Sequence, residues 1–188
     1  MSEKNYLVAI AGNIGSGKSS LAKHLEKKGY IVFDADIICH QLLERADIKT
    51  KICKMFKLTN YDRKKLAEIV FVSKEDLAKL NSILYPELIT ILKDLKKTYP
   101  LCFVEVSALY EAGMEKYFDK IILVKIDDLK RYERLLKKGL SKVEIDRRYN
   151  LQIKDEYKKA DYYIHNDNLK ESCEEIERIA LNLWTSIN

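Results

Sequence analysis

The chain has 188 residues, of which 47% are apolar and 34% are charged. This composition is typical of a water-soluble globular protein, and the length is sufficient for one well-buried domain. The net charge of +5 arises from 34 basic and 29 acidic residues that are interleaved along the chain, so charge alone gives no indication of a nucleic-acid-binding surface.

Strand-like apolar runs alternate with helical patterns from the N-terminus onward. The run Tyr6–Ala11 predicts a strand that is buried on both faces. The segment Lys18–Lys28 predicts an amphipathic helix, which Gly29 ends. Four further strands are predicted, in chain order, at Tyr30–Phe33, Leu101–Val106, Lys120–Ile126 and Asp161–Ile164.

Long helical stretches separate the later strands. Between the second and third strands the apolar residues have helical spacing, with breaks expected near Asn60 and at Pro86. A second helical stretch, Asp127–Lys159, is expected to be interrupted at Lys138–Gly139, and Leu169–Ser186 predicts a final amphipathic helix. Strands that alternate with helices predict an α/β fold with a parallel sheet, here of five strands, and such sheets bind ligands at the carboxyl ends of their strands.

The cysteines and the apolar segments favour a cytoplasmic location. The four cysteines form no C-x-x-C pair, which argues against a zinc site and against a disulfide framework. The apolar run near the N-terminus is too short for a signal peptide, and no segment approaches the ~20 apolar residues of a membrane span. We therefore expect neither a membrane nor a nucleic acid among the partners.

The segment GNIGSGKS matches the phosphate-loop pattern G-x-x-x-x-G-K-[ST] at every fixed position. Its glycines allow the backbone to curl so that successive N–H groups point at phosphate oxygens. Lys18 supplies a charge for the β- and γ-phosphates, and Ser19 supplies a hydroxyl for Mg²⁺. A buried strand before the motif and a helix after it indicate a true nucleoside triphosphate site. The residues predicted to bind the nucleotide are Gly12, Asn13, Ile14, Gly15, Ser16, Gly17, Lys18, Ser19 and Ser20.

Two carboxylates, Asp34 and Asp36, follow the second predicted strand. A carboxylate at this end of a strand, beside the phosphate loop, could take a proton from an acceptor hydroxyl. Side chains two residues apart on an extended segment point the same way, so both could face the cleft. Either residue could instead cap the next helix, and position alone leaves the two interpretations open.

The motifs together resemble those of the dephospho-CoA kinase family. The phosphate loop and the D-A-D-I-I segment after the second strand are similar to the start of these kinases. Later blocks keep the family's order, although they differ from it in detail. They lie at residues 62–71, 80–86, 109–111, 134–152 and 160–166.

This resemblance implies an enzyme that uses ATP to phosphorylate the ribose 3′-hydroxyl of dephospho-CoA, which gives CoA and ADP. It also implies the three-layer fold of the P-loop NTPases in a single domain over residues 1–188. A helical insertion at about 37–98 would bind the acceptor, and a helical lid would lie at about 128–158. ATP and Mg²⁺ would be the cofactors, and we expect a monomer, with an oligomer left open.

The resemblance also implies roles for individual residues. Asp36 would be the general base, Lys18 and Arg148 would act on the transferring phosphoryl group, and Asn166 would lie near the adenine. Mg²⁺ would be held by Ser19. The acceptor would be bound by Asp36, Arg63, Tyr85 and Glu111.

Three departures from the family pattern concern the acceptor and the lid. Tyr85 stands where the family has histidine, and a phenol carries no positive charge near neutral pH. Ser107 and Ala108 replace a proline and a leucine beside the acceptor. Lys137 and Lys138 lie in a lid that is one residue shorter, and a lysine offers a point charge where arginine offers a fork.

Two other functions are compatible with the phosphate loop. A nucleoside or nucleoside monophosphate kinase shares the loop and a helical lid, so only the acceptor would differ. A nucleotide-binding switch would usually carry an aspartate at the end of a strand and, for GTP, an N-K-x-D motif. The third strand offers Glu105 instead, and N-K-x-D does not occur.

Overall fold

A computed structural model describes residues 5–187 of the chain. It contains five strands and eight α-helices, with two short 3₁₀ turns, within that range. The elements are β1 (Tyr6–Ala11), α1 (Lys18–Lys27), β2 (Val32–Asp34), α2 (Ala35–Leu42), α3 (Ala46–Phe56), α4 (Arg63–Val72), α5 (Lys74–Thr98), β3 (Leu101–Val106), β4 (Lys120–Lys125), α6 (Asp128–Lys137), α7 (Lys142–Asn150), β5 (Tyr162–His165) and α8 (Leu169–Thr185).

The five strands form one sheet in the order β2-β3-β1-β4-β5, and every pair is parallel. The predicted α/β fold with a five-stranded parallel sheet is therefore confirmed. All six residues of β1 and all six of β3 are buried, as the continuous apolar runs predict. Parallel pairing brings the carboxyl ends of β1, β3 and β4 to one edge of the sheet, where the phosphate loop begins.

Helices α1 and α8 pack against one face of this sheet. Leu21 and Leu25 of α1 and Ile176 of α8 are fully buried there. They contact the alternate strand residues that face them, which include Val8 and Phe103. Period-two alternation along β3 places position 105 on the same face as Phe103, directed toward α1.

The chain divides into two compact units. The sheet unit comprises the residues up to Asp34 together with those from Asp94 onward, and the helical unit comprises Ala35–Lys93. The helical unit contains α2, α3, α4 and most of α5, with Ile48, Ile52 and Leu92 fully buried. The insertion predicted at about 37–98 and the lid predicted at about 128–158 are assignments of function, and they stay predictions.

The predicted break at Pro86 is wrong, because α5 continues through this residue. A proline in a helix removes one amide hydrogen bond and costs about 3 kcal/mol. Here Leu80 and Leu84 before the proline and Leu88 and Leu92 after it are all buried, so one apolar face continues across Pro86. Burial of that face offsets the local cost.

The second helical stretch is shorter than predicted. Its interruption at Lys138–Gly139 is confirmed, since α6 ends at Lys137 and α7 starts after a capping box formed by Ser141 and Glu144. Helix α7 ends at Asn150, however, and the predicted helix as far as Lys159 is wrong. Only a 3₁₀ turn, Asp155–Tyr157, lies in the remaining segment.

Within residues 5–187, no helix is both long enough and apolar enough to cross a bilayer.

Candidate functional site

The phosphate loop joins β1 to α1 in a conformation that its glycines make possible. Gly17 has a φ of 92°, in the left-handed region, and serves as the N-cap of α1. A Cβ at Gly17 would overlap the amide nitrogen of Asn166, so the position also has no room for a side chain. The carbonyl of Asn13 accepts the Ser16 N–H at 3.1 Å and closes the first turn of the loop.

Lys18 is the first residue of α1, where the positive end of the helix dipole adds to its charge. The residue is buried, with 9% of its surface exposed. A buried cation beside a curled run of amides, at the start of a helix, is an arrangement suited to phosphate oxygens.

Ser19 donates its hydroxyl hydrogen to the carboxylate of Glu105 on β3. Glu105 is buried, and it lies in register with Ile10 of β1 and Asp34 of β2. A hydroxyl and a carboxylate side by side are oxygen ligands of the kind that Mg²⁺ prefers. The donor set therefore fits a magnesium ion shared with the nucleotide phosphates. Sequence reasoning gave Glu105 no role, although the alternation along β3 could have placed it on the α1 face.

Asn166, which directly follows β5, links β4 and α6 to the phosphate loop. Its side-chain amide donates to the Ser16 carbonyl at 2.7 Å, and its backbone N–H donates to the Lys125 carbonyl at 2.8 Å. Its own carbonyl accepts from the Arg134 guanidinium at 2.8 Å. Only 1% of Asn166 is exposed, and its bond to Ser16 braces the loop. Its predicted position near the adenine stays a prediction.

The segment after α7 lies against the phosphate loop. The side-chain oxygen of Gln152 accepts the Ile14 N–H at 2.9 Å, and the amide of Asn13 donates to the Ile153 carbonyl at 3.4 Å. The Ile153 N–H donates to the Glu111 carboxylate at 2.8 Å. Glu111, predicted to bind the acceptor, thus belongs to the sheet unit and holds this segment. These contacts explain why residues 151–154 leave the helical path that periodicity predicted.

A buried arginine of α6 packs over the loop. Arg131 has 6% of its surface exposed, and its guanidinium lies 4.1 Å from the centroid of the Tyr149 ring. It forms an ion pair with Asp128 at 2.8 Å. A Cβ at Gly15 would come within 2.9 Å of the Arg131 Cγ, so a larger residue in the loop would displace this side chain.

The cations predicted in the lid are exposed. Arg148 lies on α7, one turn before Gln152, while Lys137 and Lys138 lie at the end of α6. Exposed guanidinium and ammonium groups on the helices that adjoin the loop remain candidates for contact with phosphate.

Asp34 and Asp36 do not share one extended segment, so the argument that their side chains point the same way is wrong. Asp34 ends β2, whereas α2 begins at Ala35 and holds Asp36 in its first turn. A helix rotates successive side chains by about 100° each, and the period-two rule therefore stops at Asp34. Asp36 is exposed.

Two other predicted acceptor residues belong to the helical unit. Arg63 is the first residue of α4 and lies 3.7 Å from the carboxylate of Glu44. Glu44 also accepts a hydrogen bond from Lys49 at 2.8 Å, which lowers the pKa of its carboxyl group. Tyr85 is half-buried on α5.

The comparisons with known proteins point in one direction. The family model described as dephospho-CoA kinase matches residues 6–171. A dephospho-CoA kinase from Fusobacterium nucleatum is 37% identical, and the alignment covers 92% of this chain and 95% of that protein. The chain therefore has a relative that it matches over nearly the full length of both proteins.

Two solved structures superpose on most of this chain. A crystal structure from Thermus thermophilus superposes with a TM-score of 0.82 at 29% identity, over 95% of this chain and 97% of that one. A dephospho-CoA kinase from Campylobacter jejuni superposes with a TM-score of 0.65 at 27% identity, over 92% and 95%.

Proposed function

The chain belongs to the dephospho-CoA kinase family, and on that premise we propose that it phosphorylates the ribose 3′-hydroxyl of dephospho-CoA with ATP. The products are ADP and CoA. The observation that carries the proposal is the phosphate loop, with buried Lys18 at its end and Ser19 hydrogen-bonded to Glu105, inside a family match that spans residues 6–171.

The nucleotide side of the reaction is assigned to the sheet unit. The loop amides and Lys18 bind the β- and γ-phosphates, where charge accumulates as the phosphoryl group leaves. Ser19 and Glu105 would hold Mg²⁺, which neutralises charge on the phosphate oxygens when it is bound. Asn166 keeps the loop in shape through the Ser16 carbonyl and is proposed to lie near the adenine.

The acceptor side is assigned to Asp36. Its carboxylate takes the proton of the 3′-hydroxyl while the 3′-oxygen forms a bond to the γ-phosphorus, and the bond from that phosphorus to the β-phosphate oxygen breaks. Arg148 on α7 provides a cation to the transferring group. Arg63 and Tyr85 are proposed to bind the acceptor, as is Glu111 together with the Ile153 segment that it holds.

The cellular location is proposed from the chemistry of the substrates. ATP and dephospho-CoA are water-soluble metabolites, so we propose that the protein acts in the cytoplasm. We also propose a monomer, with an oligomer left open.

The test is an ADP-release assay with Mg·ATP and one acceptor at a time: dephospho-CoA, adenosine, AMP or CMP. We expect ADP release that depends on dephospho-CoA, with CoA as the product identified by mass. The Lys18→Ala variant serves as the inactive control, because it loses phosphate binding and transfer together. Faster turnover with adenosine, AMP or CMP would show that the proposed acceptor is wrong, although the protein would still be a kinase. Slow ADP release without any acceptor would indicate a nucleotide-binding switch.

A further inference from the structure

Lys158 is a buried cation that the proposed reaction does not use. It precedes β5, and only 2% of its side chain is exposed. Its ammonium group donates to the side-chain oxygen of Asn13 and lies 3.3 Å from the carboxylate of Asp155. The ring of Tyr110 covers it, with 5.4 Å from Nζ to the ring centroid.

Asn13 is the second residue of the phosphate loop, and it is held on both sides. Only 3% of the residue is exposed. Its side-chain oxygen accepts from Lys158, and its amide donates to the Ile153 carbonyl at 3.4 Å. Its backbone carbonyl accepts the Ser16 N–H and thereby closes the first turn of the loop. The orientation of Asn13 therefore determines where the following amides point.

We propose that Lys158 is a positioning residue for ATP, which acts through Asn13 to fix the first turn of the phosphate loop. The proposal rests on the proposed function only in taking this loop as the ATP site, and it is independent of the acceptor. The ammonium group of Lys158 is engaged by Asn13 and Asp155, so the proposed effect on the nucleotide passes through Asn13.

The chemistry of the contact between Lys158 and Asn13 supports a positioning role for Lys158 and argues against a role in packing alone. An ammonium group loses its hydration when it is buried, so an apolar side chain of the same length would be the easier choice for packing alone. The ammonium instead makes a charge-assisted hydrogen bond, which is stronger and more directional than a bond between neutral groups. The bond ends on a loop whose function requires one fixed backbone shape.

The experiment compares the variant Lys158→Met with the control variant Lys159→Met. Lys159 is exposed and directly follows Lys158 in the chain. The dissociation constant of Mg·ATP is measured by calorimetry without acceptor, so an error in the acceptor assignment does not affect the result. We expect Lys158→Met to weaken ATP binding about tenfold or more, since a charge-assisted hydrogen bond is lost. Lys159→Met should bind ATP within about twofold of the unmodified chain.

Two further variants separate positioning from folding. Lys158→Arg should recover most of the affinity because it restores a cationic donor, and Asn13→Ala should weaken ATP binding about as much as Lys158→Met. The double variant Asn13→Ala/Lys158→Met should bind ATP about as weakly as either single variant, because both changes remove the same contact. The proposal is overturned if Lys158→Met lowers the melting temperature but leaves ATP affinity unchanged. If that variant does not fold, unchanged affinity in Asn13→Ala overturns it equally.

Discussion

The contact between Ser19 and Glu105 underlies the proposal that the phosphate loop holds a magnesium ion. The two residues are 86 positions apart, and pairing of β1 with β3 brings them together. Glu105 is a buried carboxylate, which is costly unless a hydrogen bond or a cation compensates its charge. The Ser19 hydroxyl compensates part of it, and a bound magnesium ion would compensate it further.

Glu105→Gln should separate metal binding from nucleotide binding. The amide can still bond to Ser19 but has no charge to offer a cation, so the Mg²⁺ concentration for half-maximal activity should rise about tenfold or more. Activity is measured against free Mg²⁺ at saturating ATP, with Glu174→Gln, an exposed position on α8, as the control. An unchanged Mg²⁺ requirement would mean that Glu105 is only a structural partner of Ser19.

Asp36→Asn tests the proposed general base. Loss of a positioned base typically lowers turnover by about 10²-fold or more, whereas ATP affinity should stay within a few-fold. Turnover is measured with saturating substrates, and Asp34→Asn is made in parallel, because Asp34 is the other carboxylate that the sequence offers. A loss confined to Asp34→Asn would move the base to the end of β2 and leave Asp36 as part of the first turn of α2.

The site was predictable from the sequence where its geometry is local. The phosphate loop is one continuous motif, so Gly17, Lys18 and Ser19 were found directly. Contacts between distant parts of the chain could not be predicted. Nothing in the sequence around Gln152 or Lys158 indicates that these residues bond to Ile14 and Asn13 of the phosphate loop. Sequence reasoning placed Asn166 beside the nucleotide but did not foresee that its amide holds the Ser16 carbonyl.

At the scale of elements, the continuous apolar strands were the easiest to place. β1 and β3 have the predicted bounds, since each is a run of six buried residues flanked by polar or turn residues. β2 is shorter and later than predicted, because only Val32–Asp34 pairs with β3. The segment after Asn150 has helical spacing but forms no α-helix, since its polar groups bond to the phosphate loop instead.

Pro86→Ala should strengthen α5. Position 86 would regain an amide hydrogen for the carbonyl four residues earlier, and the free energy of unfolding should rise by about 1–2 kcal/mol. The gain is less than the full helix penalty of proline, because alanine also leaves the unfolded chain more freedom. Urea unfolding measures the change, with Lys93→Ala on the same helix as the control. An equal or lower stability would show that the neighbouring side chains already compensate for the proline.

At the scale of the whole molecule, one carboxylate connects the first and last helices of the sheet unit. Glu177 of α8 accepts from Lys28, which follows α1, and from His24 within α1, both at 2.6 Å. The hydrogen bond from Lys28 and the one from His24 lower the pKa of the Glu177 carboxyl below its ordinary value of 4.5. Stability from this contact is therefore fully present above about pH 4.5 and is lost as the pH falls through the lowered pKa.

Glu177→Gln should consequently lower the melting temperature at neutral pH and have little effect in acid. The expected decrease at about pH 7 is roughly 1–3 °C, since exposed ion pairs contribute little. The difference from the unmodified chain should shrink as the pH falls from about 7 through the lowered pKa of Glu177, because the native carboxyl then becomes protonated itself. Melting curves across this range, with Glu174→Gln as the matched control, test the expectation. A difference that stays constant with pH would mean that packing, not charge, is affected.

The strand order β2-β3-β1-β4-β5 also has a consequence for folding during translation. β1 is the central strand, and its partners β3 and β4 begin at Leu101 and Lys120. It therefore has no strand to pair with until these segments have left the ribosome. At typical rates of translation the interval before β3 arrives is on the order of ten seconds. An apolar strand without a partner is, for that time, a surface that chaperones bind and that other nascent chains can pair with. The phosphate loop is thus made before Gln152 and Asn166, which bond to it, and it can reach its native shape only after they arrive.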